Sequence, residues 1–377
     1  MSAPLRYGLI GCGVFGRFCL EQFSRMGNVR CVAVADTDES LARKTAAEHG
    51  TDWCATPRDL LARPDVDLVH LATPPFTHGE LACAALTAGK HVLCEKPLAV
   101  SMADAQRMTA LAGEKNLILA VNLMMRYNPL CRAVKALVDS GHLGRPLHAA
   151  FVNAAQDETL TPAHWFWDRT KSGGIFIEHG VHFFDLFEWW FGTGEVLSAV
   201  QLKRPGTDIV DQVQCAVRYG NLTLGTFYHG FHQMRSRDQQ SWRIVFELGT
   251  LTMTEWVPTA LELDASLTSQ GLEEVLKILP GASVRMMERH ADEARHPASR
   301  HQRRTIDLRA HISTVPVGKM TLYGEMVSHL LADQIARIAD PSHVRTVDES
   351  NGLRSLAYAA QAQAIADGMQ ERESWTA

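Results

Sequence analysis

The chain has 377 residues, enough at roughly 150 residues per domain for two domains. Hydrophobic residues make up 46% and charged residues 21%, a composition that excludes a disordered or fibrous chain. Lys plus Arg number 37 against 42 Asp plus Glu, and the resulting charge of −5 gives neither a nucleic-acid footprint nor a reason to seek an anionic membrane.

No apolar run approaches the roughly 18–20 residues that cross a bilayer. The first ten residues run almost directly into a strand pattern, without the basic and apolar regions of a secretory signal. The eight cysteines, at 12, 19, 31, 54, 83, 94, 131 and 215, form no CxxC pair and sit mostly in apolar segments. Free buried thiols in a reducing cytoplasm are the expectation.

Up to about residue 123, short β-rich runs (5–10, 30–36, 67–72, 91–94, 117–122) alternate with helical spacing (15–26, 39–49, 77–88, 101–116). That alternation predicts βαβ units and a doubly wound parallel sheet. A connecting helix over 129–140 follows, stopped by Gly141. Strand-like runs at 147–155, 196–203, 211–219, 222–229, 241–247 and 250–256, separated by Gly, Asn or Pro, then predict a mostly antiparallel, open-faced sheet. Residues 264–305 are less legible and end in a basic cluster, Arg300, Arg303 and Arg304, read as a solvated loop. Helices over 321–339 and 351–369 finish the chain. The expected domains are 1–123 and 124–377, with the last helices free to pack back on the first.

Gly11-Cys12-Gly13-Val14-Phe15-Gly16 stands directly after a strand and opens a helix. Gly11 permits the tight turn, Gly13 lets the backbone approach a pyrophosphate, and Gly16 allows close packing of helix on strand. The unpaired N–H groups of the helix start, with Val14 and Phe15 in the turn, suit an anion. Asp36 lies 20 residues beyond Gly16, where a carboxylate accepts hydrogen bonds from the adenosine ribose. It repels a 2′-phosphate, and Thr37 and Asp38 offer no guanidinium, so NAD is favoured over NADP.

Three further segments follow in order: Ala72-Thr73-Pro74-Pro75 with His78, Cys94-Glu95-Lys96-Pro97, and Gly173-Gly174 leading into Glu178-His179-Gly180-Val181-His182 and Asp185. Together with the glycine turn they resemble the glucose–fructose oxidoreductase/inositol dehydrogenase family (Gfo/Idh/MocA) over nearly the whole chain. The resemblance implies a Rossmann domain for NAD(P) and an open sheet that carries substrate and oligomer contacts, in a homodimer or homotetramer. It implies interconversion of secondary alcohols and ketones on sugars, cyclitols and related polyols. It also places Thr73, Pro74, His78, Glu95, Lys96 and Arg126 near the cofactor, with Glu95 toward the nicotinamide-side ribose.

The residue types fit that chemistry. Removing hydride from a secondary alcohol needs a base for the hydroxyl proton and a cation for developing alkoxide charge. Lys96 supplies the cation and His182 the base, while Glu178, four residues before His182, orients or charge-balances the pair. Glu178 stands where the family usually has Asp, one methylene shorter. His179 adds an imidazole nearby. Trp165, Trp167, Asp168 and Arg169 resemble the family's substrate loop: aromatic faces for a sugar ring, charged groups for its substituents. Plain core packing is the competing reading of the tryptophans, and a structural ion pair that of Arg126.

Three other functions compete. Glu178, His179, His182, Asp185, His229 and His232 are metal-capable types, but their spacing is not a familiar zinc pattern and no metal is expected. An NAD-dependent glycoside hydrolase would use the same groups for transient oxidation, elimination and re-reduction. A non-catalytic NAD and sugar sensor would not need Lys96 and His182.

Overall fold

Four successive buried residues close strand β1 (Leu5–Ile10), the pattern of a strand covered on both faces. The computed structural model describes residues 4–373. Strand β1 leads through α1 (Val14–Ser24), β2 (Val29–Ala35), α2 (Glu39–His49), β3 (Asp52–Cys54) and α3 (Pro57–Leu61) to β4 (Leu68–Leu71). Then come α4 (His78–Thr87), β5 (His91–Cys94), α5 (Met102–Lys115) and β6 (Leu119–Val121). These six strands form a parallel sheet in the order β3-β2-β1-β4-β5-β6. Every strand expected in this region is present; the three-residue β3 was too short to show an apolar pattern.

Helix ends follow side-chain chemistry. Asp38 caps α2 by accepting from the Leu41 N–H, and Gly50 ends it in the left-handed region at φ 61°. Ser101 caps α5 through the Asp104 N–H. The strand order reverses between β1 and β4, and at such a switch point the carboxyl ends of neighbouring strands part into a crevice. The glycine turn follows β1, and Thr73 follows β4.

The second sheet takes β7 (Pro146–Gln156), β8 (Gly194–Lys203), β9 (Val210–Tyr219), β10 (Thr223–Gln233), β11 (Gln239–Phe246), β12 (Gly249–Thr254) and β13 (Leu261–Leu267). Strand β14 (Ser283–Arg289) joins it as well, while β15 (Ala298–Ser299) and β16 (Gln302–Arg303) form a separate small hairpin. Strand β17 (Leu308–Ser313) completes a nine-stranded sheet, β14-β17-β13-β12-β11-β7-β10-β9-β8. It is antiparallel except where β10 runs parallel to β7. The difficult segment 264–305 thus holds an edge strand whose side chains are all exposed and the hairpin carrying Arg303.

The remaining helices are α6 (Pro129–Ser140), the single turn α7 (Arg169–Ser172), α8 (Val181–Phe191), α9 (Ser269–Ile278), α10 (Lys319–Ala339) and α11 (Glu349–Glu373). The chain divides into two compact units that interleave along the sequence. The first takes the chain up to Tyr127, Ala163–Asp185 and Tyr323–Ala360; the second takes Asn128–Pro162, Leu186–Leu322 and the chain from Gln361. In the first, Tyr323 lies against Phe15 and Phe18 (ring centroids 5.8 and 5.1 Å), and Phe184 stacks on Tyr358. In the second, Phe151 meets Trp242 at 4.4 Å and Phe187 meets Phe227 at 4.5 Å, an aromatic core under one face of the sheet.

Candidate active site

Gly11 has φ 101°, and a Cβ there would come within 2.3 Å of the Ala72 carbonyl oxygen. A Cβ on Gly16 would lie 2.1 Å from the Gly11 carbonyl oxygen. Both positions exclude any side chain. Gly13 differs: a Cβ there meets nothing within 4 Å, so the backbone faces open space. Helix α1 starts at that residue with no side-chain cap and no acidic residue in its first turn. Its N–H groups and positive dipole end are therefore available to an anion.

Asp36 follows β2 and reaches this turn. The Cys12 N–H donates to its Oδ2 at 2.6 Å and the Asp38 N–H to its Oδ1 at 2.9 Å. Burial and the Asp36 charge push the Cys12 thiol up to about 11, so it adds no charge beside the turn. An open backbone cradle, a bare helix start and a carboxylate at the end of β2 form a donor and acceptor set that fits NAD.

Lys96 and Glu178 meet across 82 residues of sequence. The Lys96 Nζ donates to Glu178 Oε1 at 2.5 Å and to the Glu178 carbonyl oxygen at 2.9 Å. The two side chains are only 23% and 12% exposed, so the pair is largely desolvated. Residues Phe176–Gly180 form a π-helical turn, not the α-helical face that the spacing of Glu178 and His182 implied. Its wider i→i+5 bonding is common at functional sites. The preceding Gly173 (φ 79°) ends α7, and a Cβ there would sit 2.6 Å from the Ile177 side chain, which accounts for glycine before this turn.

His182 opens α8 and is buried. Burial first, and the Lys96 charge second, push its imidazole down to about 3. It is a neutral imidazole throughout the physiological range.

The other expected site residues fall into distinct places. The Thr73 hydroxyl pairs with that of Thr77 at 2.7 Å, and Pro74 leads into a short turn, Pro75–Thr77, against which α7 packs. His78 is fully buried, with both ring nitrogens directed at backbone carbonyls. Glu95 Oε1 accepts from His70 Nε2 at 3.0 Å and Asn122 Nδ2 at 2.9 Å, a commitment within the sheet that the sequence did not signal.

Arg126 donates through Nε and a terminal nitrogen to both oxygens of Asp185, at 2.8 and 2.9 Å, with both side chains buried. The ion-pair reading describes these bonds. Burial raises the Asp185 carboxyl, with Arg126 opposing that rise.

Trp165 and Trp167 are half-buried on either side of the buried Phe166. Asp168 caps α7 by accepting from the Thr170 N–H and hydroxyl and pairs with Lys171 at 3.2 Å. Arg169 is exposed, and His179 is half-buried with its ring against Phe183.

Among the described residues, metal-capable side chains gather at Cys19, His70 and Glu95, where His70 already donates to Glu95. The Glu178, His179 and His182 set does not form such a group. All eight cysteines are free thiols, and no helix among the described residues is long and apolar enough to cross a membrane.

Comparison with known proteins places the chain in a family. Residues 5–123 match the oxidoreductase family with an NAD-binding Rossmann fold (GFO_IDH_MocA), and 131–252 match the GFO/IDH/MocA C-terminal domain. The scyllo-inositol 2-dehydrogenase (NAD(+)) of Bacillus subtilis is 28% identical over 194 residues, 51% of this chain and 55% of that protein. The myo-inositol 2-dehydrogenase of Thermotoga maritima is 28% identical over 245 residues, 63% of this chain and 71% of that protein. The chain thus spans about half the length of the first of these relatives. In fold it is similar to the WlbA dehydrogenase of Bordetella pertussis, solved with NADH and UDP-GlcNAcA. The TM-score is 0.77 and the identity 20%, over 98% of this chain and 97% of that one. With the Rossmann and C-terminal domains matched in succession, the chain belongs to the Gfo/Idh/MocA family of oxidoreductases.

Proposed function

We propose that this protein is an NAD-dependent dehydrogenase that oxidises a secondary hydroxyl of a sugar, cyclitol or related polyol to a ketone, or runs the reverse reaction. The observation that supports it most is Lys96 gripped between the carboxylate and carbonyl of Glu178, with a neutral His182 within its electrostatic reach. Gly11, Gly13, Val14, Phe15 and Gly16 would hold the NAD pyrophosphate and Asp36 the adenosine ribose. NAD, when bound there, would supply the hydride acceptor.

His182 accepts the hydroxyl proton. Burial and the Lys96 charge both oppose an imidazolium there, so His182 would hold the proton only transiently. Lys96 donates to the substrate oxygen and stabilises charge developing there. Glu178 holds the ammonium in place, and its charge leaves the Lys96–Glu178 pair neutral overall. With Arg126 committed to Asp185, the groups named here favour an uncharged polyol over a sugar acid.

The open face of the nine-stranded sheet supports a second copy as partner. Val200, Gln214, Tyr228 and Val152 lie in one cross-strand row. Val152, Val200, Leu202 and Leu224 are 40%, 45%, 58% and 41% exposed. A homodimer or homotetramer would cover them, in the reducing cytoplasm that eight free thiols suit.

The test is nicotinamide absorbance with NAD across free sugars, cyclitols, sugar acids and aryl glycosides, with products analysed in parallel. NADH with stoichiometric ketone is expected. Glycoside cleavage that needs NAD and accumulates no NADH would overturn the reading in favour of a hydrolase.

A further inference from the structure

The turn that presents Lys96 is fastened at both neighbours by side chains outside the catalytic set. Before Lys96, Glu95 is held by His70 and Asn122, from the strands or strand ends on either side. After it, the Pro97 carbonyl oxygen lies 2.8 Å from His78 Nδ1. The other ring nitrogen of His78, Nε2, lies 2.9 Å from the Thr73 carbonyl oxygen. The ring therefore spans the two loops that leave β4 and β5.

We infer that His78 is a positioning residue for Lys96, tying the Lys96–Pro97 turn to the Thr73 loop, and that it does not touch the cofactor. Three observations carry this. The side chain is fully buried. Both of its nitrogens lie within hydrogen-bond distance of backbone oxygens, which can only accept, so one ring N–H serves one carbonyl and bridging both takes both N–H groups. And the Lys96 ammonium sits 2.5 Å from one Glu178 oxygen and 2.9 Å from another, contacts that a small backbone displacement would break. A misplacement of about 1 Å can cost on the order of 100-fold in rate. Burial lowers the His78 pKa, and the contacts with the Pro97 and Thr73 carbonyls oppose that fall.

The inference rests on Lys96 acting as proposed above, so the experiment separates the two. Full-length wild type, His78→Leu and His78→Gln are compared in three ways: NADH dissociation constant by fluorescence, the rate at which trinitrobenzenesulfonate labels Lys96 (by peptide mass spectrometry), and kcat. In His78→Leu, NADH affinity should stay within about threefold of wild type. Lys96 labelling should quicken about tenfold or more, and kcat should fall at least about tenfold. Gln offers its amide to one carbonyl only and should fall between the two on labelling and kcat.

A tenfold weaker NADH affinity with unchanged labelling would make His78 a cofactor contact and overturn the inference. So would a Leu variant that matches wild type throughout. If the Leu variant does not fold, His78→Gln decides: labelling and kcat equal to wild type overturn the inference, and faster labelling with lower kcat supports it. Faster labelling in a protein whose wild type turns over no alcohol would sink the dehydrogenase reading and leave the positioning role standing.

Discussion

His182 in the first compact unit and His229 in the second are both buried, and both imidazoles are pushed down to about 3. Their surroundings differ. His229, on β10, owes its shift to burial alone, and its ring lies 5.6 Å from that of Phe151 in the aromatic core. His182 owes part of its shift to Lys96, which is itself paired with Glu178. Depressed basicity reports desolvation in both places. Only the ionic neighbours connect one of the two to chemistry.

Exchanging each histidine for an apolar residue breaks this comparison most directly. His182→Ala should lower kcat by about 10²–10⁴-fold, the usual contribution of a general base, and Lys96→Ala should do comparable damage. His229→Leu should leave kcat within a few fold, because it replaces an imidazole in an apolar core. Steady-state NADH production checks both, and equal losses from the two histidine variants would refute the division of roles.

The next effect falls on stability. Arg126–Asp185 is buried on both sides, whereas Arg218–Glu195 on the second sheet is 54% and 57% exposed at 2.5 Å. Distance alone would rank the surface pair first. Asp185→Ala strands a buried guanidinium and should cost about 3–5 kcal/mol, whereas Glu195→Ala should cost less than about 1 kcal/mol. Thermal unfolding of the two variants side by side is the measurement; similar shifts would mean that the burial of Arg126 is not decisive.

These two regions were also unequally legible in the sequence. The glycine turn, Asp36 and the strand and helix alternation are local patterns, written within a few residues of each other. So was the order of the Glu95-Lys96-Pro97 and Gly173-Gly174 segments. Pairings between distant residues were not: Arg126 with Asp185 spans 59 residues, His70 with Glu95 spans 25, and β7 runs parallel to β10 with α7, α8, β8 and β9 between them in the chain. The π-helical turn at Phe176–Gly180 is hidden for another reason, since it runs straight into α8 and reads as the opening of an ordinary α-helix. Strand β14 is illegible in 264–305 because it buries none of its side chains and so shows no apolar period.

Glu178→Asp sharpens the comparison at the scale of one methylene. Shortening the side chain withdraws the carboxylate from Lys96 by about 1.5 Å while leaving the backbone carbonyl contact possible, so kcat should fall by about 10–100-fold. The KM for the alcohol should move less, because the fault lies in placing the ammonium during the reaction and not in capturing the substrate. A variant with unchanged kcat would show that the carbonyl contact alone suffices to hold Lys96.

The smallest effect per step is the acid dependence of stability, and here the two histidines should behave alike. Each folded-state pKa, near 3, lies below the unfolded value of about 6.5, so between those limits the unfolded chain binds the extra proton. The stability each neutral imidazole contributes is complete above about pH 6.5 and is lost as the pH falls toward 3, at about 1.4 kcal/mol per pH unit per histidine. His229→Leu removes one of the two contributions and should flatten the decline by that amount in denaturant titrations between about pH 6.5 and 4. It should do so while NADH production at neutral pH stays intact. A slope unchanged by the substitution would mean that His229 takes up its proton in the folded protein, and the likeness between the two buried imidazoles would then fail.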